Sequence, residues 1–156
     1  MGEIKTDIHR YQLMELKELD KMISIPEDFN YDVNTVGFSI DIDTNYFEKG
    51  NIFVIVFKFI LGRQIENSEF EDMARLNLLN SFKLKYHERI IKKTKDKFLI
   101  HREDLIYLIN CSISHSRAFH YDLVKDTVLE PFSLPFIDFN DFDLGKEEFI
   151  NTKLSI

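Results

Sequence analysis

The stretch from Thr35 to Leu61, TVGFSIDIDTNYFEKGNIFVIVFKFIL, constrains this chain more than any other. It reads as two strands joined by a turn. In the first, Phe38, Ile40 and Ile42 point one way while Ser39, Asp41 and Asp43 point the other. Side chains alternate faces along a strand, so this one has a dry face and a wet, acidic face. The second, Ile52 to Leu61, is apolar on both faces except at Lys58. Such a strand needs cover on both sides. The pattern predicts a sheet with helices on one face and a partner subunit or bound chain on the other.

With 156 residues the chain is expected to form one domain, residues 1–156. Apolar residues make up 44% of it, enough for a sizeable core, and fifteen are Phe with no Trp. Phe brings broad contact and no polar group to satisfy. The net charge of −7 argues against a nucleic-acid partner, which a basic footprint would announce. The basic run Arg89 to Lys97 is short and broken by Asp96, so it reads as a solvated loop or helix end. One cysteine, Cys111, excludes an intrachain disulfide and reads as packing. A cytoplasmic address is expected. No apolar run approaches the roughly 18 residues that span a bilayer, so no membrane insertion is expected. Met1 to Thr6 fits the short myristoylation pattern, which chance also produces often.

Residues 8–25 suit either a helix or one irregular strand ending near Pro26; intrinsic propensity favours helix. Strands are predicted from about Val36 to Tyr46 and Ile52 to Arg63, with a turn at Glu48-Lys49-Gly50-Asn51. Residues 69–79 are rich in helix formers. Yet Ala74, Leu76, Leu78, Phe82, Leu84 and Tyr86 keep a period of two, broken at Asn80, which favours a strand over about 72–86. Residues 88–98 read as loop. A helix follows, with Glu103 and Asp104 in its first turn and an apolar stripe through Leu105, Leu108, Ile109 and Ile113. Pro131 and Pro135 set an extended stretch over 130–139, and residues 141–152 suit a weak helix interrupted by Gly145. Strands followed by helices give an α+β domain.

Catalytic patterns are absent. None of the five histidines stands in a metal-ligand pattern, and they read as surface or interface residues. Asp41 and Asp43 share a face, but two donors fall short of an oxygen-ligand cation site. There is no glycine-rich phosphate loop and no nucleophile elbow. No enzymatic activity, metal or cofactor is expected.

Five places in the chain, and their order, resemble the SecB export chaperones and their SecB-like relatives. Ile8-His9-Arg10-Tyr11 looks like the family's first strand, leading to Pro26. Phe38 to Thr44 is similar to its second strand, Phe53 to Leu61 to its long third, and Met73 to Leu84 to its fourth. The helix Leu105 to Arg117, followed by Leu134-Pro135-Phe136, resembles the family's helix and its Leu-Pro connection. The likeness covers about residues 4–145. It implies a four-stranded antiparallel sheet with helices packed on one face, assembled as a dimer or dimer of dimers. It also implies a non-enzymatic holdase that keeps unfolded polypeptides in an apolar groove, for export through the SecA motor or to guard an antitoxin.

On this resemblance the groove residues are Phe38, Ile40 and Ile42 from the second strand, with Phe132, Leu134 and Phe136 from the connection. All six also suit ordinary core. Arg75 stands where classical members carry an acidic residue that helps contact the motor, which puts motor binding in doubt. Two other readings remain: a dedicated module for one partner, such as an antitoxin, and a small-ligand or enzymatic domain.

Overall fold

Gly50 and Asn51 adopt left-handed backbone, with φ of 87° and 54°. Glycine takes that conformation freely and Asn more readily than most residues, so the turn forms where the sequence places it. The Asn51 N–H closes it on the Glu48 carbonyl at 3.1 Å. The computed structural model describes residues 10–30, 34–65, 69–134, 137 and 144–156. In chain order these form β1 (Tyr11–Ile23), β2 (Val36–Phe47), β3 (Ile52–Gln64), β4 (Phe70–Leu84), α1 (His87–Ile90), β5 (Ile91–Lys93), β6 (Phe98–His101), α2 (Arg102–Val124) and β7 (Phe149–Asn151). The architecture is α+β: a four-stranded antiparallel sheet, order β1-β4-β3-β2, with α2 packed on one face.

The β2–β3 register runs without a shift from Phe47 opposite Ile52 to Val36 opposite Arg63. It therefore keeps every dry side chain on one face. Phe53, Ile55, Phe57, Phe59 and Leu61 of β3 are buried there, beside Ile42 and Tyr46 of β2 and Leu76, Leu78, Phe82 and Leu84 of β4. Helix α2 covers them with Leu105, Leu108, Ile109, Ile113 and Val124. Ser112 and Ser116 lie fully buried in the same stripe. Their hydroxyls donate to the carbonyls of Leu108 and Ser112, at 3.0 and 2.8 Å, so small side chains bring helix and sheet close without an unpaired polar group. The break in β4's apolar pattern has a partner too: Asn80 is buried beneath α2, its Oδ1 2.7 Å from His115 Nδ1.

The opposite face is half covered. Val54, Val56 and Ile60 of β3 and Leu79 of β4 keep partial exposure. Lys58 crosses to Asp43 at 2.8 Å. That bond and the Ser155 hydroxyl hold the Asp43 carboxyl below its usual range, and Asp43 raises Lys58 in turn.

β1 is a strand in spite of its helix formers, because it completes the open edge of β4, and pairing along that edge outweighs propensity. Register shifts between Leu13 and Glu15 and between Glu18 and Asp20 explain the irregular pattern. Each bulge inserts a residue, so Leu13 and Leu16, three apart, share the helix-facing side.

Three expectations fail in whole or in part. Residues 88–98 are loop only at 94–97: α1 leads into β5, which pairs with β6, so that Ile90 and Ile100 are buried. The expected helix over 141–152 is not formed in the described part of that span. There β7 pairs with β6, burying Ile150, which stabilises an extended chain over a glycine-interrupted helix. Residues 141–143 lie outside the described residues. The 130–132 stretch, expected as extended, forms a 3-10 turn. Beyond β7, residues 154–156 lie along the outer edge of β2. The Ile42 and Thr44 N–H groups donate to the Ile156 and Leu154 carbonyls at 3.0 and 2.8 Å.

Gly62 sits at the β3–β4 register shift, where a Cβ would lie 2.6 Å from the Phe70 ring and 2.7 Å from the Glu71 carbonyl oxygen. The half-exposed ring has room to swing; the backbone oxygen does not. Gly62→Ala is expected to cost about 1–3 kcal/mol. The measurement is a lower urea midpoint with the slope unchanged.

Candidate functional site

Two concavities differ in character, one against α2 and one beside the segment that follows it. The larger, about 650 Å³, lies between the start of β1 and the helix. Its centre is Asp104, 3% exposed. Arg10 Nε sits 3.0 Å from one carboxylate oxygen and its Nη2 donates to the other at 3.1 Å. The Tyr11 hydroxyl also donates to Asp104. Burial first, then Asp104, push the Tyr11 phenol far above its usual range, so it stays a donor. The Tyr107 ring stacks on Tyr11 at 5.1 Å. This cluster spends its hydrogen bonds on itself and ties β1 to α2. Cys111, on the same wall, is half-buried; burial pushes its thiol up, and Tyr107 opposes the shift.

The smaller concavity is a cleft of about 270 Å³ with a different character. One side is the start of β2, Val36 to Phe38; the floor is Phe59 and Leu61 of β3; the far wall is Pro131, Phe132 and Ser133. Phe38 is 51% exposed, and its ring lies 5.8 Å from that of the fully buried Phe59. The cleft is thus an open aromatic lip above a rigid aromatic floor.

Its far wall is built from consecutive turns. Thr127, Glu130 and Phe132 N–H groups donate to the carbonyls of Val124, Thr127 and Leu129 at 3.1, 3.2 and 2.9 Å. Asp126, at φ 62°, starts the sequence, and its N–H donates to the Glu130 carboxylate at 3.2 Å. The wall ends at Leu134, 3% exposed, whose N–H donates to His120 Nδ1 on α2 at 3.1 Å. His120 is fully buried, edge-on to Phe59 with ring centres 4.6 Å apart. Burial lowers its pKa to about 4, so near neutrality it is an uncharged acceptor. This corrects the expectation of surface or interface histidines at that position.

The structure brings Phe38 and Phe132 to opposite sides of one cleft. Ile40 is half-buried beside it; Ile42 and Leu134 are buried beneath α2 and its following segment. Phe136 lies outside the described residues. From sequence alone Phe59 and Leu61 read simply as strand, and no local pattern places Pro131 or His120 in the site. Their membership comes from residues about seventy apart meeting in space, which no local spacing signals.

The backbone adds a second feature. Outward groups alternate along an edge strand, and Ile42 and Thr44 present theirs to residues 154–156. The same phase turns the Phe38 and Ile40 N–H and C=O groups outward. Among the described residues, nothing pairs with them. Among the described residues, an open strand edge therefore runs beside the apolar cleft. Among the described residues no group of three or more His, Cys, Asp or Glu is placed to hold a metal ion, and no helix is long and apolar enough to cross a membrane.

No protein-family model matches the chain, and no curated protein does. Among solved structures, it is similar to the Mycobacterium tuberculosis Rv1957 SecB-like chaperone, in complex with a ChAD peptide from the Rv1956 HigA1 antitoxin. The TM-score is 0.56 with 14% identity, covering 82% of this chain and 91% of that one. The fold is SecB-like.

The lip and floor of the cleft separate by stability. Phe38→Ala is expected to change unfolding free energy by less than about 1 kcal/mol, since the ring is half in water. Phe59→Ala should cost about 3–5 kcal/mol. Thermal unfolding of the two variants against the parent checks the contrast.

Proposed function

We propose that this protein is a SecB-like chaperone that holds extended, apolar stretches of non-native polypeptide. The observation that carries this reading is the half-exposed Phe38 over the Phe59 floor, facing Phe132, with a strand edge alongside that is unpaired among the described residues. A client segment added to the edge of β2 would satisfy its own backbone groups there. Its alternate side chains would enter the cleft, the general logic of strand addition. Apolar contact is undemanding about sequence, as a holdase requires. Ile40 and Phe132 would contribute to contact. Ile42, Leu134 and Phe136 belong to the same proposed groove region, the first two acting from beneath as support.

Of the two roles implied by the family likeness, guarding an antitoxin fits better than export. Arg75 points from the half-covered face and is ion-paired to Asp20 at 2.8 Å and Asp72 at 3.9 Å. A cation there does not reproduce an acidic contact for the SecA motor. The similarity to a structure solved with an antitoxin peptide supports the same choice. The protein acts in the cytoplasm, without catalysis, as a dimer or dimer of dimers.

The decisive experiment dilutes a chemically unfolded test protein with and without this chain. Suppression of aggregation should saturate near a fixed ratio, and Phe38→Asp should abolish most of it while leaving the melting temperature near that of the parent. No suppression by a folded preparation would remove general holdase activity and leave a dedicated single-partner module. A toxin–antitoxin pair encoded beside the gene would support that second reading. Light scattering after size exclusion is expected to give a mass of two or four chains.

A further inference from the structure

The far wall of the cleft is joined to α2 through a buried side chain. Its residues Pro131 to Ser133 are carried by short turns that bond the end of α2 to the loop and the loop to itself. At Leu134 the chain returns to the core, and its N–H donates to His120 Nδ1. The bond is buried, with His120 and Leu134 at 0% and 3% exposure. The same imidazole stands edge-on to Phe59, which is the floor of the cleft and touches Phe38 at its lip. One ring therefore touches both the floor and the wall.

We infer that His120 is a positioning residue for the proposed peptide groove: its neutral ring, accepting through Nδ1, sets the distance between the Pro131–Ser133 wall and the Phe59 floor. The inference rests on the proposed holdase function for its consequence, though its geometry is testable without any client.

The chemistry requires one tautomer. Nδ1 accepts from Leu134, so in the neutral ring the hydrogen resides on Nε2. That Nε2 is buried and has no hydrogen-bond partner among the described residues. A buried donor left unpaired is costly, and retaining it is compatible with the ring being needed for its other nitrogen. Protonation would convert Nδ1 to a donor facing the Leu134 N–H, which breaks the bond. Among the described residues, the elements packed on the ring present no charge to it: β3 offers Phe59, the wall offers Leu134, and burial is the cause of its lowered pKa. The flanking charged residues of α2, Arg117 and Asp122, are solvent-exposed. The unfolded ring titrates near 6.5 and the folded one near 4. The folded state thus binds fewer protons between those values, and this contribution is present above about 6.5 and lost as pH falls toward 4.

The first test needs no variant. The imidazole ¹⁵N shifts of the wild-type protein at neutral pH should report a hydrogen on Nε2 and a bare Nδ1; a hydrogen on Nδ1 would overturn the inference. The second compares His120→Phe, which keeps an edge-on ring but removes the acceptor, with His120→Asn, which offers an acceptor in its place. Hydrogen exchange at the Leu134 amide should lose protection in His120→Phe and recover part of it in His120→Asn, with β3 amides unchanged. In the wild type that protection should fall as pH approaches 4. A fluorescent apolar peptide should bind His120→Phe about tenfold more weakly, the size of one lost buried hydrogen bond. Loss of Leu134 protection with unaltered peptide affinity would refute the positioning role alone. Failure of the wild type to bind peptide, with Leu134 protection and tautomer as described, would instead refute the holdase reading and leave the latch geometry intact.

Discussion

Everything in this structure answers to the burial of one face of β3. Phe53, Ile55, Phe57, Phe59 and Leu61 follow one another on a single side and are withdrawn from water almost completely. Each such side chain contributes roughly 1.5–3 kcal/mol when fully buried. The helix must therefore lie close over this strand, and Ser112 and Ser116 allow it to. The strands on either side supply the rest of the floor, and their register keeps the apolar residues aligned. The cleft is the place where this cover ends: Phe59 is the last ring beneath the helix and Phe38 the first beyond it.

Three of the buried polar contacts made beneath α2 tie separate elements together. Asp104 joins α2 to Arg10 and Tyr11 at the start of β1. Asn80 joins β4 to His115. His120 joins α2 to the segment after it. Apolar contact alone is non-directional and leaves such elements free to slide. A buried polar pair penalises any arrangement that separates it. The three pairs lie along one helix, so they also fix its rotation over the sheet.

The half-covered face tells a different story. The doubly apolar reading of β3 demanded cover there, and the structure supplies part of it in the plane of the sheet. Val54 and Val56 are flanked by Asn45 and Asp43 of β2 and by Ser81 and Leu79 of β4. The Lys58–Asp43 pair lies across the same surface. Short polar neighbours and the aliphatic stem of Lys58 shade the valines while keeping charge at the surface.

Several elements were legible from the residues alone, because their causes are local. Alternation set the faces of β2 and β3, Gly50 and Asn51 set the turn, and the 3.6-residue stripe set α2. Period two also survived in β4, despite its helix formers. Tertiary structure decided the rest. β1 became a strand because β4 had an open edge, and its two bulges erased the periodicity that would have announced it. β7 formed because β6 needed a neighbour, against a sequence that suited a weak helix. His120 became a core acceptor because Leu134 returns to the helix fourteen residues later. The cleft joins Phe38 to Phe132 across more than half the chain. Faces and turns are written in neighbouring residues, whereas edges, bulges and clefts exist only once distant segments have met.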